Sequence, residues 1–152
     1  MAVAAITTAV NRASRGITQS HIESFGMDTG AGTIPKGAFV CLDASGYAVN
    51  GADTTALVFV GIAIETKTFA GSADGDTEIL VDCTVGKWWK FGHNTGDLDA
   101  TTVGTVLYLE NNNAVDDATA ATHDIRVGTL ARYIDADECW LRVDFVAPLA
   151  AA

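Results

Sequence analysis

Basic residues are scarce in this chain: nine Lys and Arg stand against nineteen Asp and Glu, for a formal net charge of −10. A phosphate backbone is bound through clustered Lys and Arg, so nucleic acid is not an expected partner. Cysteine is thin as well. Cys41, Cys83 and Cys139 are odd in number, widely spaced and without a C-x-x-C pair. That speaks against a disulfide framework or a zinc site and for three buried thiols in a reducing compartment. No apolar run approaches the 18 or so residues of a membrane-spanning helix, so no membrane is expected. The opening Met1–Ile6 lacks the early positive charge and the apolar core of roughly 7–15 residues of a signal peptide. The expectation is a protein made in the cytoplasm that leaves it only as part of a larger particle. Proline occurs just twice, against fifteen glycines, a balance that suits many tight turns.

What is present favours a β-rich fold. The 152 residues suit one domain, and a chain of this length buries roughly 70% of its unfolded surface without needing disulfides or metal. The hydrophobic share is 49% and the charged share 18%, which places it among globular chains. Thr, Val and Ala abound, and β-branched residues fit a pleated, half-buried surface.

Residues 1–33 differ from the rest. Arg12 and Arg15 are the only formal charges in residues 1–22, so a +2 segment precedes 130 residues that carry −12. Ile6, Val10, Ile17, Ile22 and Phe25 are too irregularly placed for an amphipathic helix, and Gly26, Gly30 and Gly32 break any longer pattern. The segment reads as an extended N-terminal arm that packs on a neighbour or stays mobile, followed by a body over residues 34–152.

From Ile34 onward strand signals follow one another at roughly 10-residue intervals. Ala38–Leu42 is an apolar run, Asp43–Gly46 a turn and Tyr47–Val49 a return strand. Leu57–Thr66 is the longest apolar strand, and Gly61 in its middle signals a bulge or bend. A turn at Ser72–Asp76 leads into Thr77–Asp82, and Val85–Phe91 carries an aromatic cluster. Thr105–Glu110 reads as a strand buried on both faces, and Asn111–Asn113 as a turn whose residues tolerate left-handed backbone. Asp124–Ile134 and Cys139–Val146 form a last pair, with Cys139, Leu141, Val143 and Phe145 inward and Trp140, Arg142, Asp144 and Val146 outward. No helix is expected. The fold class is all-β: a small antiparallel β-barrel or β-sandwich with an extended N-terminal arm.

No catalytic constellation emerges. Asp74-Gly-Asp76 with Glu78 lacks the twelve-residue ligand pattern of a calcium loop and reads as a hairpin turn. Asp97-Leu-Asp99 and Asp116-Asp117 read the same way. His21, His93 and His123 lie in polar contexts without metal-ligand spacing. The glycines at 26–32 lack the Lys-Ser/Thr of a phosphate loop, and no serine sits in a G-x-S-x-G elbow. No catalytic residue, metal or cofactor is therefore expected. The dipeptide Trp88-Trp89 is the most unusual feature. Alternation sends the two rings to opposite faces; Trp89 is expected inward with Phe91, and Trp88 outward as a candidate interface anchor.

The order of signals carries a resemblance: Ile34-Pro-Lys-Gly-Ala-Phe-Val-Cys-Leu-Asp43 followed by Ser-Gly-Tyr-Ala-Val49; the Gly-centred Val60-Gly-Ile-Ala-Ile64; an Asp-Gly-Asp-Thr77 turn; Val103-Gly-Thr-Val-Leu-Tyr108; Ile125-Arg-Val-Gly-Thr-Leu130; and a last strand with Trp140 and Val143. In these, residues 34–146 resemble the head-decoration, or capsid-cement, family of tailed bacteriophages. The resemblance implies a small β-barrel or sandwich that binds the outside of an expanded capsid, commonly as a trimer, and no catalytic residues. The implied partners are the major capsid protein and further copies of the chain, and the implied location is the capsid exterior of the virion. Candidate capsid or subunit contacts are Ile6, Val10, Arg12, Arg15, Ile17, Ile22, Phe25 and Trp88. The competing readings are a small β-barrel enzyme or carbohydrate-binding module, for which Trp88, Trp89 and Asp97 are the candidates, and another virion part such as a tail-tube subunit.

Overall fold

A computed structural model describes residues 3–16, 19–94, 98–117 and 122–144. Among them are thirteen strands and no helix: β1 Ser14–Arg15, β2 Ile22–Gly26, β3 Thr33–Ile34, β4 Phe39–Leu42, β5 Ala48–Asn50, β6 Val58–Ala63, β7 Lys67–Thr68, β8 Glu78–Asp82, β9 Trp88–His93, β10 Val106–Asn111, β11 Ala114–Asp116, β12 Arg126–Tyr133 and β13 Glu138–Val143. The all-β expectation holds, and of the two architectures left open the chain adopts the barrel.

The barrel is built from the C-terminal strands. Neighbours run β9-β11-β10-β12-β13, and β13 pairs back onto β9 with Leu141 opposite Trp89, which closes the ring. Closure leaves no barrel strand with an open edge, the usual solution to edge-to-edge aggregation. All of its pairings are antiparallel except β11 with β9, where Ala114 lies beside Gly92. β1 takes the stretch of the same β9 edge that β11 leaves free, with Ser14 opposite Trp89 and Arg15 opposite Trp88.

The N-terminal strands form a second sheet in the order β2-β8-β6-β4-β5. Its two outer strands meet through an isolated bridge between Met27 and Ala48, so this sheet also curls on itself. It has two apolar faces with separate fates. Phe39, Cys41, Phe59 and Ile62 join the barrel's core with Phe91, Leu107, Leu109 and Leu141. Val40, Val60, Ala63, Ile79 and Val81 enclose a second core with Met27, Ile34 and Cys83. Gly61 explains how one strand serves both. In strict alternation Phe59 and Ile62, three residues apart, would face opposite ways. The register with β4 slips beside Gly61, between Val40 and Cys41, and the slip resets the alternation. Gly61 has φ +155°, and a Cβ there would overlap Asp82 O, so no larger residue fits.

The two bodies are joined ring to ring: Phe39 of β4 stacks on Phe91 of β9 at 3.8 Å with an 11° interplanar angle. Phe59 meets Phe39 edge-on at 5.6 Å. Trp89 is 8% exposed and belongs to this core, whereas Trp88 is half-buried and does not. Trp140 departs from expectation. Its strand face was read as outward, yet the ring is only 6% exposed, with the Arg15 guanidinium 4.4 Å from its centre. Val106 and Tyr108 are half-buried while Leu107 and Leu109 are fully buried, so β10 has one core face rather than two. All three cysteines are buried and free. Phe145 and Val146 lie outside the described residues.

Candidate functional site

The segment read as an arm is held against its own body. Residues 22–26 are β2, paired along their length with β8, and Phe25 packs on the second core. Upstream, residues 3–13 run across the seam between barrel and second sheet. Asparagine side chains grip their main chain. Asn94 Oδ1 accepts from Val3 N at 2.6 Å, and Asn111 Nδ2 donates to Val3 O at 2.8 Å. Asn113 Nδ2 donates to Ala4 O at 2.8 Å. Asn112 pairs with both main-chain groups of Ile6, accepting from N at 2.8 Å and donating to O at 2.9 Å. The same amide donates to Asn50 Oδ1 at 2.9 Å, which ties the grip to the second sheet. An amide side chain offers one acceptor and two donors, so it can stand in for a strand partner.

Arg12 is the pin of this seam. Its Nε donates to Gly37 O at 2.6 Å, Nη1 to Lys90 O at 3.2 Å, and Nη2 to Asn113 Oδ1. Gly37 precedes β4, Lys90 is in β9, and Asn113 ends the β10–β11 turn, so one guanidinium touches both bodies. Its carbon lies 3.7 Å from the centre of the Phe91 ring. Two groups this close cannot share one face, so Arg12 and Phe39 sandwich Phe91. Burial pushes the guanidinium pKa down to about 10, against the opposing attraction of Glu138, and the group remains a cation at neutral pH. The chain passes so close that a Cβ on Gly37, whose φ is +88°, would strike Val10 O. Val10 N donates to Lys36 O at 2.8 Å, and Lys90 N to Ala13 O at 3.1 Å. Beside these grips is an open cavity of about 450 Å³ lined by Val3, Val10, Arg12, Lys90 and Glu138. Ala4, Ala5, Thr7, Thr8 and Ala9 are exposed along the arm, while Ile6 and Val10 are half-buried.

A second polar cluster fastens the chain after the arm. Lys87 Nζ contacts Asp82 Oδ2 at 2.8 Å and donates to Ser20 Oγ at 3.0 Å. Asp82 Oδ1 accepts from Thr84 Oγ1 at 2.5 Å and Thr84 N at 3.0 Å. Thr84 Oγ1 in turn accepts from His21 N at 2.8 Å. Burial opposes ionisation of Asp82, but Lys87 and the two Thr84 bonds outweigh it and hold the carboxyl below its usual pKa.

The other candidates stay apart. His21 contacts Glu23 at 2.6 Å, and His123 contacts Asp53 at 3.1 Å. His93, expected in a polar setting, is fully buried under Tyr133; its Nε2 donates to Asp135 O at 2.7 Å, and Nδ1 has no partner among the described residues. Asp76 serves its turn, accepting from Ser72 N and Ala73 N at 2.9 Å, and Asp74 accepts from Thr29 N at 2.9 Å. Among the described residues no group of three or more His, Cys, Asp or Glu is placed to hold a metal ion. With Trp89 in the core, Trp88 and Trp89 make no shared aromatic platform. Ile22 is 39% exposed, and Leu80 on the neighbouring strand is 41% exposed on the same sheet face. Ile17 and Asp97 lie outside the described residues. The asparagine grip is not legible in the sequence, where Asn111–Asn113 shows only a turn. Compared with known protein families, curated proteins and solved structures, the chain matches none.

Proposed function

We propose that the protein is a structural virion component that binds the outer surface of the assembled capsid of a tailed phage and stabilises the shell. The observation that supports this reading best is the arm. It is a chain pinned at both ends on a closed β body, with Thr7, Thr8 and Ala9 exposed between the pins. Such a segment can add to the edge of another protein's sheet, where main-chain hydrogen bonds supply affinity and side chains need not be matched closely. The exposed apolar pair Ile22 and Leu80 offers a second contact beside it.

The mechanism is mass action. A ligand that binds the assembled lattice and not loose subunits shifts the equilibrium towards the lattice by RT ln(1 + [L]/Kd). No bond is made or broken, so the function needs a rigid body and a complementary surface only. We further propose that copies sit on the shell as a closed homo-oligomer, a trimer. Co-sedimentation with heads built from the cognate major capsid protein tests the reading. Binding that saturates at a fixed ratio of copies to capsid subunits supports it, and no binding at micromolar protein overturns it. A reconstruction of decorated heads with isolated, non-touching copies would overturn the trimer alone.

A further inference from the structure

We propose that the asparagine-lined seam is an acceptor for the arm of a second copy, so that adjacent copies exchange residues 3–15 and lock to one another. The contacts that hold the arm are transferable. Asn94, Asn111, Asn112 and Asn113 read the main chain of Val3, Ala4 and Ile6, and Arg12 and Arg15 add side-chain anchors on Phe91 and Trp140. None of these bonds depends on the arm belonging to the same chain. The arm also contributes no fully buried side chain to its own body's core: its aliphatic residues Val3, Ile6 and Val10 are half-buried, with exposed Ala and Thr between them.

Geometry limits which neighbour can receive it. Past β1 the chain reaches Gly16, whose φ of +99° is a conformation glycine adopts readily. It is fastened again at Ser20 and His21 by Lys87, Thr84 and Cys83. From Arg15 to Ser20 there are five Cα steps, which reach about 16–18 Å at full extension. A donated arm therefore enters only a seam whose mouth lies within that distance of the donor's Ser20. Donation is head-to-tail, because arm and seam are different surfaces, so exchange closes into a ring where the rotation between copies closes and runs on as an open chain where it does not. In dilute solution the tether gives the chain's own arm an effective concentration of order millimolar, and the cis arrangement wins. Exchange takes over where copies are crowded side by side.

Complementation removes the cis competitor and tests the proposal directly. Ile6→Pro with Arg12→Ala spoils the arm and leaves the seam whole. Asn111→Ala with Asn113→Ala spoils the seam and leaves the arm whole. Mixed as full-length chains, the two are expected to form a one-to-one complex by native mass spectrometry and sedimentation, at least tenfold tighter than either variant with itself. Association of the mixture no stronger than that of the separate variants overturns the proposal. Should the asparagine variant not fold, Gly92→Val replaces it: the atoms nearest a side chain at Gly92 all belong to Val3, so this change evicts the arm first. Neither arm of the experiment contains a capsid, so its outcome is independent of the capsid reading.

Discussion

Replacing Arg12 with alanine should loosen the arm before it disturbs the barrel or the second sheet. The guanidinium donates three hydrogen bonds and lies 3.7 Å from the Phe91 ring centre. Hydrogen bonds from a charged donor are worth about 1.5–3 kcal/mol each, and a cation on a ring about 0.5–2 kcal/mol. Those sums overstate the loss. The burial that lowers the Arg12 pKa to about 10 also opposes docking, and water can reach Gly37 O and Asn113 Oδ1 once the side chain is gone. A net loss of about 2 kcal/mol is expected, which for a chain of this size lowers the melting temperature by about 4–8 °C. Hydrogen exchange should rise most at Ile6 N and Val10 N, the arm's own anchored amides, and little at the β12–β13 ladder. Arg12→Lys should restore only part of the effect, because an ammonium cannot fork to three acceptors while lying flat on a ring. A variant that melts within 1 °C of the parent, with unchanged exchange at Ile6 and Val10, would refute the view of Arg12 as the pin.

Further expectations concern the core and its charges. Trp89→Ala should cost about 3–5 kcal/mol in chemical denaturation, whereas Trp88→Ala should cost well under half of that; equal losses would show that both rings are core. Asp82 has a folded pKa below its unfolded value, so its contribution is present above about pH 4 and is lost as pH falls through the folded pKa. Asp53, Asp76, Asp99 and Asp135 are lowered too, so pH-dependent melting should be flat above about pH 5 and decline below pH 4. Lys87→Ala leaves Asp82 buried without its cation, and should cost about 3–5 kcal/mol and move the acid decline to higher pH. Burial pushes all three cysteine pKa values up to about 12, so a thiol reagent should label the native protein only at the rate of unfolding.

Local signals in the sequence carry much of the fold, and distant polar contacts carry the rest. The Asp43–Gly46 turn and the bulge at Gly61 are each encoded within a few residues, and each is where the sequence pattern puts it. Alternation puts Trp89 and Phe91 on one strand face, and packing against the second sheet makes that face the inward one. The docking of the arm is not encoded locally, since the residues that bind Val3, Ala4 and Ile6 lie 91 to 109 positions away. Amide-to-backbone bonds have no periodicity and no preferred spacing, so Asn111–Asn113 shows only its turn propensity. His93 and Trp140 mislead for a related reason: local context describes one strand, while their burial comes from Tyr133 and from the Arg15 side chain. The closing bridge from Met27 to Ala48 joins the ends of a sheet that four intervening pairings must first bring together.

Preference for an assembled shell over its loose subunits is the property on which the proposed function stands. Thermal disruption of capsids made from the cognate major capsid protein, followed at increasing concentrations of this protein, reads it directly. The disruption temperature should climb with concentration and continue rising beyond saturation, as the stabilisation grows to about 2.7 kcal/mol per site at a free concentration of 100 Kd. Capsids that disrupt at an unchanged temperature when fully decorated, or free subunits that bind as tightly as the shell, would contradict it.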